Sequence, residues 1–191
     1  MISADEILEL TKSMTIVSLI FTIAYSVGAG YDMLDLILLF LLCLVCVGMG
    51  FVLHEVAHKV VASFFGLETR YVANNSMPLV SLLLALGGFI LISPGAVRIY
   101  GIKPIDLRRA GLISVAGPAS NLFISLLFYA MYQVTSGFLS FAAGFGYEIN
   151  SWLAVFNMIP VPGFDGAKVF AWNKVAYIFL ALACVFAAFF L

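Results

Sequence analysis

Residues 36–58 read LILLFLLCLVCVGMGFVLHEVAH, from Leu36 to His58. The stretch from Leu36 to Leu53 carries no charge and has nearly the length, about 20 residues, that a helix needs to cross roughly 30 Å of hydrocarbon. It then passes directly into His54-Glu55-Val56-Ala57-His58 and, Lys59 apart, stays apolar to Leu67. A helix over about 34–66 is too long for a simple crossing, so its last third is expected near, or just inside, one membrane face. An apolar helix that ends in ionisable side chains is a membrane element with chemistry at its end.

The composition points the same way. The 191 residues are 64% hydrophobic and 10% charged, where soluble chains run nearer half apolar and a quarter charged. Nine Lys and Arg against ten Asp and Glu leave a net charge of −1. That balance lacks the polyelectrolyte attraction of a general nucleic-acid binder, so no nucleic-acid partner is expected and the lipid bilayer is the expected surroundings. Cys43, Cys46 and Cys184 all lie in apolar runs and form no disulfide framework.

Outward from the central stretch, uncharged runs predict five spans in one membrane domain over 1–191, at about 13–30, 34–66, 111–134, 138–160 and 175–191. The first follows an acidic start, Asp5, Glu6 and Glu9, where a signal peptide would be basic. A polar patch, Glu68 to Ser76, leads into Met77 to Val97, whose Gly87-Gly88 and Ser93-Pro94-Gly95 disfavour an uninterrupted helix. These residues are expected to form strands, a hairpin or a re-entrant element. The fold class is therefore an all-α membrane protein with about five transmembrane helices and a re-entrant, strand-containing hairpin near 77–97.

Lys and Arg give the orientation. Lys12, then Lys59 and Arg70, then Arg98, Lys103, Arg108 and Arg109, and finally Lys168 and Lys174 all fall on one side if 77–97 re-enters. A crossing there would separate Lys59 and Arg70 from the later cluster. The expected location is the cell membrane, multi-pass, with the His54–His58 end toward the cytoplasm.

His54 and His58 are the two histidines of the chain. Positions i and i+4 share a helix face, so both imidazoles can reach one metal, while Glu55, about 100° round, can address water instead. Two structural histidines without polar partners would be costly at membrane depth. A catalytic zinc site wants a third protein ligand. Asp165 is the candidate, because Pro160, Pro162, Gly163 and Gly166 break the chain after a long apolar run on the same expected membrane side. An Asp-Gly pair is also an ordinary turn. Asn121 and Asn157 are costly in lipid unless buried against partners. Each reads either as an interhelical hydrogen-bonding residue or as a group that holds substrate backbone or an oxyanion.

The sequence resembles the site-2 protease family of intramembrane zinc metalloproteases. The resemblance rests on His54-Glu55-Val56-Ala57-His58, on Asn157-x-x-Pro160 followed by Asp165-Gly166, and on Ala116-Gly117-Pro118-Ala119-Ser120-Asn121. These motifs come in the family's order and cover about Leu36 to Lys174. The Gly87-Gly88 stretch is similar to the family's membrane-associated strand region, although Ser93-Pro94-Gly95-Ala96-Val97 departs from it. The resemblance implies one Zn2+ per chain held by His54, His58 and Asp165, with Glu55 as general base. The implied substrates are transmembrane proteins or peptides, cut in or near their membrane segments. A substrate helix must unwind to expose its carbonyls, and a strand edge within 77–97, with Gly87 and Gly88, is the expected place to pair with it. A catalytically silent relative that binds membrane partners, or a membrane zinc carrier, would use the same residues.

Overall fold

The computed structural model describes residues 3–74, 77–90, 95–100 and 105–191. The described residues are mostly helical, with one two-stranded antiparallel sheet. By contact density the chain divides into two compact units, Met1–Val52 with Arg70–Arg98, and Leu53–Thr69 with Ile99–Leu191.

In the first unit, α1 (Ala4–Ser26) starts where the Ser3 side chain accepts from the Glu6 amide, with Asp5 and Glu6 in the positively polarised first turn. A capping box between Asp32 and Asp35 starts α2 (Met33–Cys43). A π-helical turn, Leu44–Gly48, joins α2 to α3 (Met49–Phe64) without a break. The Ser18 hydroxyl of α1 lies 3.4 Å from the Cys43 carbonyl at this turn. Gly48 has no room for a Cβ beside Ser18 and Met14, so the wide turn and the small residue together let α1 approach closely.

The long helix stops at a Schellman motif. Gly66 has φ +67°, the Leu67 amide donates to the Ala62 carbonyl at 3.2 Å, and the Gly66 amide to Ser63 at 2.9 Å. The polar patch that follows is a strand, β1 (Glu68–Ala73), and its partner is β2 (Gly95–Tyr100). The expected hairpin within 77–97 is thus corrected. Met77–Ala85 is a helix, α4, because its breakers sit at its edges: Pro78 in the first turn, where a missing N–H costs little, and Gly87-Gly88 in the turn that ends it, with Gly88 at φ +78°. Among the described residues of this stretch, strand begins at Gly95. Ser93 and Pro94, and Lys103 of the basic cluster, lie outside the described residues, as does Ser76.

In the second unit, Asp106 caps α5 (Leu107–Val134), its carboxylate accepting from the Arg109 amide at 2.8 Å. Two residues turn the chain into α6 (Gly137–Asn157), and a Pro- and Gly-containing loop leads to the short α7 (Asp165–Trp172) and then to α8 (Lys174–Phe190). Ala154 and Met158, from α6 and its end, pack with Val169 of α7 and Cys184 of α8. A Cβ on Gly146 would lie 2.8 Å from the Phe128 ring, so α5 and α6 approach through a missing side chain.

Among the described residues, three helical stretches are long and apolar enough to cross a membrane: α1, the continuous Met33–Phe64, and α5. The other two expected spans fall short by that measure, α8 because it has 17 residues, and α6 because Tyr147, Glu148, Asn150 and Ser151 lower its hydropathy.

Candidate metal site

The site lies within the second unit and is assembled by α3, α5 and α7. One turn of α3 separates His54 from His58, and the two Nε2 atoms sit 3.0 Å apart. Asp165 opens α7 and directs Oδ2 to both, 2.9 Å from His58 Nε2 and 3.3 Å from His54 Nε2. All three side chains are buried. The start of α7 is held close to the end of α6, since a Cβ on Gly166 would land on the Met158 carbonyl.

The opposite edge of each ring decides what the triangle is for. His54 Nδ1 is 2.6 Å from Asn121 Oδ1, and His58 Nδ1 is 2.7 Å from the Ile113 carbonyl. Both partners are oxygens that only accept, so each Nδ1 carries a proton, and in the neutral form of each ring Nε2 presents a lone pair. Two lone pairs and a carboxylate oxygen within 3.3 Å of one another repel unless a cation lies among them. Edges of about 3.3 Å are what tetrahedral bonds of about 2.0 Å require, the length zinc takes with imidazole nitrogen and carboxylate oxygen. The donor set, two nitrogens and one oxygen with a fourth direction left over, therefore fits zinc.

Relatives of this chain are named as zinc metalloproteases. The chain is similar to "Putative zinc metalloprotease MJ0611" of Methanocaldococcus jannaschii, 34% identical over 186 residues that cover 96% of this chain and 92% of that one. It belongs to that zinc metalloprotease family. The family's "Putative zinc metalloprotease YwhC" of Bacillus subtilis is 30% identical over 142 residues, 63% of this chain and 64% of that one. "Putative zinc metalloprotease Rip2" of Mycolicibacterium smegmatis is 31% identical over 136 residues, 62% and 51%. No family model matches the chain, and no solved structure does.

The other residues singled out in the metalloprotease sequence are distributed unevenly. Glu55 is buried on α3 beside the two histidines. Asn121 stands behind His54, on the far side of the ring from the triangle. Asn157 ends α6 and donates its amide to the Leu153 carbonyl at 2.9 Å. Gly87 and Gly88 belong to the first unit, in the turn after α4.

Three contributors are not apparent from sequence alone. The Ile113 carbonyl orients His58. Asn150 supports Asn121, a contact between helices that only the approach of α5 and α6 creates. Gly117 faces the triangle itself, and a Cβ there would collide with His54 and His58. Its sequence signals are its place in the motif Ala116-Gly117-Pro118-Ala119-Ser120-Asn121 and the Gly-Pro pair itself, which weakens a helix unless another element needs the room.

Proposed function

We propose that this metalloprotease is a zinc-dependent intramembrane endopeptidase of the site-2 protease kind, cutting transmembrane proteins or peptides in or near their membrane segments. The observation that carries the reading is the triangle of His54 Nε2, His58 Nε2 and Asp165 Oδ2, backed by carbonyl acceptors, at the end of a helix that begins as an uncharged span. One zinc per chain would be held by these three residues. Bound there, zinc supplies a Lewis acid that polarises the scissile carbonyl and brings the pKa of water toward about 7.

The chain's own residues would do the rest. Glu55, next to the first ligand, takes the proton of the attacking water and returns it to the departing amine nitrogen. Asn157 offers an amide N–H to the carbonyl oxygen as charge develops on it. A substrate helix must give up internal hydrogen bonds before its carbonyls can be attacked, and a strand edge replaces them. Among the described residues β2 pairs with β1 alone, which makes β2 the candidate edge, preceded by the Gly87-Gly88 turn. The full topology in this reading has five spans, α1, α2–α3, α5, α6 and α8, with the basic residues and the triangle toward the cytoplasm of the cell membrane.

Metal analysis of the purified chain tests the site, with Asp165→Ala and His54→Ala beside the wild type. About one zinc per chain, lost in both variants, is expected. Single-span model polypeptides co-reconstituted in vesicles test the reaction, with products mapped by mass spectrometry. Cleavage by the zinc-loaded wild type should fall about 10²- to 10⁴-fold in Glu55→Gln while zinc is retained. Undiminished zinc in Asp165→Ala would sink the ligand assignment. A zinc-loaded wild type that cuts none of them would favour the silent relative.

A further inference from the structure

Behind His54 runs a short line of polar contacts whose direction is fixed from its far end. Asn150 of α6 is fully buried, and its Nδ2 donates to the Gly146 carbonyl at 2.8 Å, one turn back. A backbone carbonyl only accepts, so Asn150 presents its nitrogen there and its Oδ1 on the other side. Asn121 of α5, also buried, donates Nδ2 to that Oδ1 at 3.2 Å. Its own Oδ1 is thereby turned to His54 Nδ1, 2.6 Å away.

We propose that Asn150 is a positioning residue for the metal site. By accepting from Asn121 it holds that amide in the one orientation that keeps His54 Nε2 free of a proton and able to bind zinc. The inference rests on the reading of His54, His58 and Asp165 as zinc ligands.

The two rings differ in what they need. His58 Nδ1 meets the Ile113 backbone carbonyl, which has one polarity. His54 Nδ1 meets a primary amide, which can turn over by 180° with almost no change of shape. A reversed Asn121 would donate to Nδ1 and drive the ring proton to Nε2, where it blocks the metal. Asn150 removes that alternative, because a reversed Asn121 would put its oxygen against the Asn150 oxygen. Gly146 serves twice, as the carbonyl that sets the polarity of Asn150 and as the small residue that lets α6 approach Phe128 of α5.

The test is the zinc dissociation constant of the full chain in detergent, read by competition with a chelator, for a cycle of four proteins. Asn150→Leu keeps the volume and removes the acceptor. Outer partners of metal-bound histidines are worth about 10- to 100-fold in affinity, and a loss of about tenfold is expected here. Asn121→Asp replaces the reversible amide with a carboxylate, which only accepts. In that background Asn150→Leu should cost no affinity. An equal loss in both backgrounds would assign Asn150 to packing and overturn the inference. No loss from Asn150→Leu alone would overturn it too while leaving the metal site intact. A wild type that binds no zinc would overturn the metal reading and the inference together.

Discussion

Glu6 of the first unit and Asp165 of the second are both buried carboxylates, and they differ in what surrounds the charge. Glu6 of the first unit is 2% exposed and accepts from the Tyr71 amide at 2.9 Å, while the Tyr71 hydroxyl bonds Ser13 at 2.8 Å. It meets a donor, so its placement explains itself as the tie between α1 and β1. Asp165 of the second unit is 7% exposed and meets two imidazole edges that, in neutral rings whose Nδ1 atoms donate to carbonyl oxygens, have no proton to give. A buried acid among donors is part of the framework. One among lone pairs implies a cation, and that difference separates a structural carboxylate from a metal ligand better than burial does.

The largest effect that would break this comparison comes from the smallest substitution. Gly117→Ala adds one methyl in the middle of α5, where alanine is favoured over glycine by about 1 kcal/mol in helix propensity. That methyl would occupy the space in front of His54 and His58. Zinc content and peptidase activity are both expected to fall to background, while thermal unfolding in detergent shows the helical chain still folded. An alanine variant that keeps its zinc would mean that the triangle closes on something other than an ion.

Glu6 gives the contrasting case, with a smaller effect on a different readout. Glu6→Ala leaves the buried Tyr71 amide without this acceptor, a cost of about 1–3 kcal/mol in stability. Glu6→Gln retains an oxygen at that place and should cost less. Zinc affinity should be unchanged in both, measured on the same samples whose unfolding is followed. If Glu6→Ala lost zinc as Asp165→Ala is expected to, the distinction between the two acids would fail.

How much of this the sequence carries depends on how local each feature is. The uncharged run into His54 and His58 needs only helical periodicity to place two rings on one face. Asp165 joins them through a loop whose prolines and glycines are visible as breakers. The strand pair is harder, because β1 lies in a polar patch and β2 comes after a helix and a turn. Alternation over six residues says little about which segment pairs with which. Met77–Ala85 reads as strand or hairpin if its flanking glycines are weighed more than its run of leucines. Asn150 and Gly117 are out of reach for a different reason. Asn150 has no unusual neighbour in sequence, Gly117 stands out only as one residue of a motif beside Pro118, and each takes its role from how closely a second helix approaches.

Lys168 sharpens the comparison at its finest scale. Its ammonium lies 3.6 Å from Asp165 Oδ1, the oxygen turned away from the histidines, one turn along α7. Glu6 meets its donor in a buried contact, whereas the Lys168 side chain is 59% exposed. Water and salt screen such a pair, and exposed ion pairs are worth about 0–1 kcal/mol. Lys168→Met should therefore weaken zinc binding by less than about fivefold, and the difference should shrink further as salt is raised. A loss well beyond that, persisting in high salt, would mean that the lysine fixes which carboxylate oxygen faces the rings. The second unit's acid would then, like the first's, depend on a specific donor for its place.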